Sequence, residues 1–138
     1  MNTPFEIYPI GFIRKTKRRT EIEIEGDFID ALLGLDSFSH IYVLYWFHQN
    51  DTPDKRKTLR VHPRKNTQNP LTGVFATRSP ARPNLLALHL CRMLSITSSR
   101  IRIDDIDARD GSPVIDIKCY IPPKIPLENV QVPDWISR

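Results

Sequence analysis

The chain has 138 residues, a formal net charge of +4, 40% hydrophobic residues and 26% charged residues, with a pI near 9.3. That length suits one domain with a proper core, and no apolar run approaches the roughly 20 residues a membrane helix needs. The two cysteines, Cys91 and Cys119, read as reduced, buried thiols of a cytosolic protein rather than as a disulfide or metal framework.

The first residues carry no charged leader followed by an apolar block, so no signal peptide is expected. Ile7, Pro9, Gly11 and Ile13 alternate with other residues, and Ile22-Glu23-Ile24-Glu25 alternates cleanly, which predicts two early strands. Lys15, Lys17, Arg18 and Arg19 form a basic cluster between them. Asp27 is placed to cap a short helix over Phe28–Leu33, with Gly34 ending it. Residues 41–47 form a continuous β-branched and aromatic run, which predicts a strand buried on both faces. The polar pair His48-Gln49 closes that run, where a binding rim would lie. A glutamine amide donates and accepts together, although a lone histidine there also fits a structural role.

Residues 50–70 are polar and charged, with Pro53, Pro63 and Pro70 spread among them. They hold a second basic cluster: Lys55, Arg56, Lys57, Arg60, Arg64 and Lys65, with His62 inside it. A loop of that length is usually functional or mobile. Such clusters are the footprint expected for RNA, and equally of a solvated surface; no stacking aromatics are interleaved. Residues 71–76 predict a further strand. After it come Arg78 and Arg82, with Ser79-Pro80 and Arg82-Pro83 both held extended. This stiff loop suits phosphate or carboxylate, and its residue types also make an ordinary surface turn.

Residues 84–94 read as helix on propensity, yet Leu86, Leu88 and Leu90 alternate. Ile101, Ile103 and Ile106 mark a strand entering the Asp110-Gly111 turn, and residues 113–118 predict the last one. Acidic residues collect here, at Asp104, Asp105, Asp107, Asp110 and Asp116. Asp116 and Lys118 fall on one strand face, where an ion pair is expected. Pro122, Pro123, Pro126 and Pro133 predict an extended tail over 123–138 with Trp135 as an aromatic anchor, following a domain over 1–122. Several short strands with few helices argue for a small β-barrel. No Gly-rich dinucleotide fingerprint supports a Rossmann sheet, and no metal or nucleophile motif stands out.

Four segments occur in one order: Ile10-Gly11-Phe12-Ile13-Arg14; Phe38-Ser39-His40 through Phe47-His48-Gln49; Val74-Phe75-Ala76-Thr77-Arg78-Ser79-Pro80 with Arg82-Pro83-Asn84; and Asp110-Gly111-Ser112-Pro113-Val114-Ile115-Asp116-Ile117-Lys118 before Tyr120. Together they resemble the TsaA-like (TrmO-like) family of S-adenosylmethionine-dependent tRNA methyltransferases, which modify N6 of threonylcarbamoyl-adenosine beside the anticodon. The resemblance covers roughly residues 8 to 122. It implies a mainly β, single-domain β-barrel with one or two short helices and a strand, not a helix, over 84–94. It also implies S-adenosylmethionine as donor, tRNA as partner, a cytoplasmic homodimer with the donor pocket near the subunit interface, and neither metal nor membrane.

Carried over position by position, the resemblance assigns His48, Gln49, Arg78, Leu88, Ala108, Arg109, Asp110 and Gly111 to the donor. Arg82, Asn84, Lys118 and Tyr120 fall to the substrate; Asn84 equally fits a brace of its own loop, and Tyr120 a cap on the barrel. The Arg78 turn, the His48-Gln49 rim and the Asp110-Gly111 bend are thus expected around one donor molecule. No catalytic base is identified; His48, Asp110 and His62 are candidates for proton removal. The chain departs from the family where Arg-Pro-Asn-Pro-Ile-Gly-Leu-Ser reads Arg82-Pro83-Asn84-Leu85-Leu86-Ala87-Leu88-His89, and where Asp-Ile-Lys-Pro-Tyr reads Asp116-Ile117-Lys118-Cys119-Tyr120. The altered loop after Asn84 keeps a second reading open: a non-catalytic barrel binding RNA or a nucleotide-like ligand.

Overall fold

Six strands close on themselves in the computed structural model, which describes residues 3–137. They are β1 (Gly11–Lys15), β2 (Thr20–Ile24), β3 (His40–Trp46), β6 (Leu86–Thr97), β7 (Arg100–Ile103) and β8 (Pro113–Cys119), with β4 (Arg60–Val61) and β5 (Thr72–Gly73) forming a separate pair. The barrel order is β1-β2-β7-β6-β3-β8, every neighbour antiparallel. The chain is therefore mainly β. Its helical content among the described residues is one four-residue α-helix, α1 (Pro53–Arg56), and short 3-10 turns. Two compact units result: Met1–Gln49 with Leu86–Tyr120, and Asn50–Leu85 with Ile121–Arg138.

Period-two burial builds the barrel unit. Ile13, Ile22, Ile24, Ile41, Val43, Tyr45, Ala87, Cys91, Ile101, Ile103 and Val114 point inward, and Ile106 and Ala108 join the same cluster. Each large side chain removed from water contributes about 1.5–3 kcal/mol. The β1–β2 turn is held by the Thr16 hydroxyl, which accepts from the amides of Arg18 (3.3 Å) and Arg19 (3.2 Å).

Four sequence expectations are corrected. Residues 41–47 are not enclosed on both faces: Ile41, Val43 and Tyr45 are buried while Tyr42, Leu44 and Trp46 are half-buried, because a barrel has a single interior. The helix over Phe28–Leu33 is a 3-10 segment, Gly26–Leu32, with Glu25 at its N-cap and Asp27 in its first turn. Gly34, at φ 86°, redirects the chain after it, a conformation glycine adopts without steric cost. The strand over 71–76 shrinks to Thr72–Gly73. Val74–Ala76 then curl into a 3-10 turn because the Thr77 amide (3.1 Å) and hydroxyl (2.9 Å) both donate to the Val74 carbonyl. Ile7 and Pro9 lie before the first strand and are exposed.

Residues 84–94 follow the resemblance rather than propensity, in a strand of 12 residues from Leu86 to Thr97. Pairing with β3 on one side and β7 on the other overrides the helical preference of Leu, Arg and Met.

In the second unit Thr52 caps α1, its hydroxyl accepting from the Lys55 amide at 3.3 Å, with Pro53 in the first turn. Trp135 is buried. The Arg64 guanidinium lies 5.8 Å from its ring centroid and donates to the carbonyls of Trp135 (3.1 Å) and Ile136 (2.8 Å). The expected Asp116–Lys118 ion pair is present at 3.2 Å.

Two buried acids set an alkaline limit on the fold. Burial, then the Asp104 and Asp105 charges, pushes the Cys91 thiol up to about 12. Burial, then Asp107, pushes the Tyr45 phenol up to about 12. Both groups hold their protons more tightly folded than unfolded. Their contribution is therefore complete below their ordinary values and is lost as pH rises through the folded ones. The urea midpoint is expected to fall between pH 9 and pH 11; a flat profile over that interval would contradict the assignment.

Candidate functional site

β3 fixes the axis of the candidate site in the barrel unit. Its register pairs Trp46 with Leu86 and Leu44 with Leu88, so the His48-Gln49 rim emerges beside the start of β6. His48 is half-buried and Gln49 exposed, both in a 3-10 turn, His48–Asn50. Leu88 lies on the outer face, between the part-exposed Leu86 and Leu90.

Tyr45 ties this end of β3 to the second segment that the resemblance assigns to the donor. Its hydroxyl donates to the Asp107 carbonyl at 2.9 Å, and its ring meets Phe47 edge-on, 5.8 Å between centroids. An inward tyrosine among Ile41 and Val43 must find a partner for its hydroxyl, and that partner begins the 107–112 bend. Ala108 is buried in the barrel core, whereas Arg109 and Asp110 are exposed. Gly111, at φ 82°, reverses the chain and donates from its amide to the Ile13 carbonyl at 2.7 Å, while the Ser112 amide donates to Arg109 at 3.1 Å. Asp110 Oδ1 accepts from the Lys15 amide at 2.8 Å, and Lys15 Nζ donates to the Ile106 carbonyl. The bend is thus clamped to the end of β1 on both sides of its apex. Lys15 and Tyr45 are the supports that sequence reading did not single out. A tyrosine hydroxyl inside an otherwise apolar run was the available signal.

Lys118 and Tyr120 lie elsewhere on the same unit. Lys118 pairs across to Tyr42, and the Tyr120 amide donates to the His40 carbonyl at 3.0 Å. The Tyr120 ring stands edge-on to Tyr42 (5.7 Å) and His40 (6.3 Å). That is the starting end of β3, opposite His48-Gln49. An open cleft of about 660 Å³ lined by Ile29, Asp30, Leu33, Asp36 and Ile96 contains none of the positions predicted from sequence.

The second unit holds Arg78, Arg82 and Asn84 in a braced loop. Arg82 Nη1 donates to the carbonyls of Thr77 (3.1 Å) and Ser79 (3.2 Å), and the Ala81 amide donates to Ser79 Oγ at 3.2 Å. Arg56 Nη1 donates to the Pro83 carbonyl at 3.2 Å. Arg78 and Asn84 are exposed, and Arg78 makes no hydrogen bond or ion pair among the described residues. One arginine of the pair therefore holds the loop and the other is presented by it. His62 Nδ1 sits 2.8 Å from the Asn69 carbonyl, so that nitrogen donates to it.

Comparison with known proteins places this geometry in context. The family described as the tRNA-methyltransferase O N-terminal domain matches residues 3–124. A probable S-adenosyl-L-methionine-binding protein of Pyrococcus horikoshii is 49% identical over 116 residues, 84% of this chain and 82% of the relative. A tRNA (adenine(37)-N6)-methyltransferase of Mus musculus is 40% identical over 91 residues, 66% of this chain but 20% of its own length. The crystal structure of TrmO from P. aeruginosa superposes with a TM-score of 0.73 at 28% identity, over 98% of this chain. This chain spans 63% of that protein's length.

Proposed function

This chain belongs to the tRNA-methyltransferase O N-terminal domain family, and on that premise we propose that it transfers a methyl group from S-adenosylmethionine to N6 of threonylcarbamoyl-modified adenosine next to the anticodon in tRNA. The observation that carries this reading is the linkage, within the barrel unit, of the His48-Gln49 rim to the clamped 107–112 bend through Tyr45. When bound, S-adenosylmethionine supplies an electrophilic methyl group on a sulfonium.

The residues present fit such a donor. Gln49 offers an amide that both donates and accepts toward an adenine edge. Ala108, Arg109 and Gly111 present backbone groups in a bend that cannot drift, and Asp110 keeps Oδ2 for a ribose hydroxyl or an ammonium. Leu88 contributes apolar surface on the outer barrel face. Arg78 presents a free guanidinium fork suited to carboxylate or phosphate. Arg82 retains N–H groups beyond the committed Nη1, and Asn84 is exposed two residues on; both are assigned to the substrate. Lys118 and Tyr120, at the far end of β3, are reached together with the rim only by a substrate as large as tRNA.

Alignment of nucleophile and methyl group is the main catalytic requirement of such a displacement. The N6 proton of an acyl-substituted adenosine is more acidic than that of adenine, so a weak base suffices. His48 at the rim and Asp110 at the bend are the candidate bases in the barrel unit, and His62 lies in the second unit. The reading extends to a cytoplasmic homodimer. The row Leu86, Leu88, Leu90 and Leu94, 39–52% exposed on the outer face of β6, supports a self-association surface. No helix among the described residues is long and apolar enough to cross a membrane.

Mass spectrometry of tRNA nucleosides from cells with and without the gene is the test. The modified adenosine should gain one methyl group only when the gene is present, and calorimetry should record saturable donor binding to a species that scatters as a dimer at micromolar concentration. Saturable donor binding with unchanged nucleosides would leave the donor site but remove this acceptor. Salt-sensitive tRNA binding without donor binding would favour the non-catalytic module.

A further inference from the structure

The strand register assembles a basic surface that neither cluster in the sequence defines. Phe12 and Arg14 of β1 pair with Glu23 and Glu21 of β2, which in turn pair with Arg100 and Arg102 of β7. Arg102 lies next to Ser95 of β6, and Arg100 next to Thr97. Inward positions of these strands are filled by Ile13, Ile22, Ile101 and Ile103, so the alternate residues all face outward. The β1–β2 turn adds Lys17, Arg18 and Arg19. Lys15 drops out of the group because its Nζ is held by the Ile106 carbonyl.

Six cations, Arg14, Lys17, Arg18, Arg19, Arg100 and Arg102, thus share one barrel face with two glutamates. The carboxylates hold the arginines without covering them. Glu21 lies between Arg19 (3.9 Å) and Arg100 (3.8 Å), and its side chain is 14% exposed against 52% and 56% for its partners. Arg14 meets Glu23 at 3.3 Å and lies over the Phe12 ring, 5.5 Å from the centroid. Lys17, Arg18 and Arg102 make no ion pair among the described residues. The outermost layer of this face is positive.

We propose that this face, β1–β2–β7 with the 16–19 turn, is where the barrel unit grips the phosphate backbone of its RNA, an assignment that rests on the tRNA reading above. Five of the six cations are arginines, whose planar forks match phosphate oxygens in pairs. Arg100 and Arg102 stand about 7 Å apart along β7, and neighbouring strands are about 4.8 Å apart, a lattice on the scale of successive phosphates. No exposed aromatic is interleaved for bases to stack on; Phe12 is half-buried beneath Arg14. The face therefore reads backbone and shape rather than base sequence. The 16–19 turn continues directly from Lys15, whose amide clamps Asp110. RNA held here lies beside the bend assigned to the donor.

The experiment titrates fluorescent unmodified tRNA transcript against the full chain over a range of salt concentrations, with S-adenosylmethionine binding measured in parallel by calorimetry. Removing two cations (R18Q with R102Q) is expected to weaken tRNA binding about tenfold and to reduce the slope of log K against log salt by about 2. Donor affinity and melting temperature should not change. Glu21→Gln should shift binding the other way, tighter, because it removes an opposing charge. Wild-type affinity and slope in the double variant, with losses in Lys55→Gln and Lys57→Gln instead, would move the RNA to the second cluster and overturn the face while leaving the tRNA reading intact. Absence of tRNA binding by the unaltered protein, with the donor still bound, would overturn both.

Discussion

Arg78→Ala is expected to lower kcat/KM for methyl transfer by about 10- to 100-fold, the loss of one charge-assisted contact worth about 1.5–3 kcal/mol. The melting temperature without ligand should not move, because the guanidinium is exposed and makes no hydrogen bond or ion pair among the described residues. Arg78→Lys should recover only part of the activity, since an ammonium keeps the charge but not the fork. Arg82→Ala is the informative contrast. Its Nη1 holds the carbonyls of Thr77 and Ser79, so its loss loosens the loop that presents Arg78. It should therefore lower activity and melting temperature together. The assays are steady-state transfer to tRNA and thermal unfolding. Equal thermal losses in both variants would contradict this division of roles between the two arginines.

Gly11→Ala should be the most damaging small substitution in the barrel. A Cβ at this position would lie 2.4 Å from the Glu23 carbonyl oxygen and 3.2 Å from its carbon. Both atoms are backbone, so β1 and β2 must part to make room. Gly11 also pairs with Val114 on its other side, which leaves β1 no direction in which to yield. The expected destabilisation is about 3 kcal/mol, or roughly 10 °C in melting temperature for a chain of this size. Gly26→Ala is the control: nothing lies within 4 Å of its Cβ, and the melting temperature should hardly change. A Gly11→Ala protein as stable as the control would show that the β1–β2 contact is looser than its geometry requires.

The parts of the fold that could be read in the sequence were those whose information is local. The inward pair Ile22 and Ile24 is visible as alternation, β3 as a continuous β-branched and aromatic run, and His48-Gln49 as the polar stop after it. Asp110-Gly111 carries its own turn signal, and Gly111 does adopt positive φ. What stayed hidden depends on partners far along the chain. Leucine, arginine and methionine in residues 84–94 prefer helix, and only the flanking β3 and β7 make that segment a strand. The third strand could not reveal which of its faces would be enclosed, because enclosure comes from closure of the barrel. Arg100 and Arg102 looked unremarkable until register set them beside Arg14, Glu21 and Glu23. Lys15 sat inside a basic cluster, with nothing to indicate that its ammonium turns back to a carbonyl of residue 106. The division of labour between Arg78 and Arg82 likewise depends on where two carbonyls point, which spacing does not encode.

The seam joining β1 to β8 is short, with Gly11 and Phe12 the paired residues of β1, and the clamp beside it links Lys15 to Asp110, 95 residues away. Neighbouring hairpins such as β1–β2 and β6–β7 can form early, because little loop entropy opposes them. The seam has no such advantage, and the barrel cannot close on the ribosome until β8, the last of its six strands, has emerged. Until then an unpaired edge of β1 is open to other chains. The 107–112 bend is fixed against β1 only with that last closing step, so if it holds the donor as proposed, competence for the donor and completion of folding arrive together.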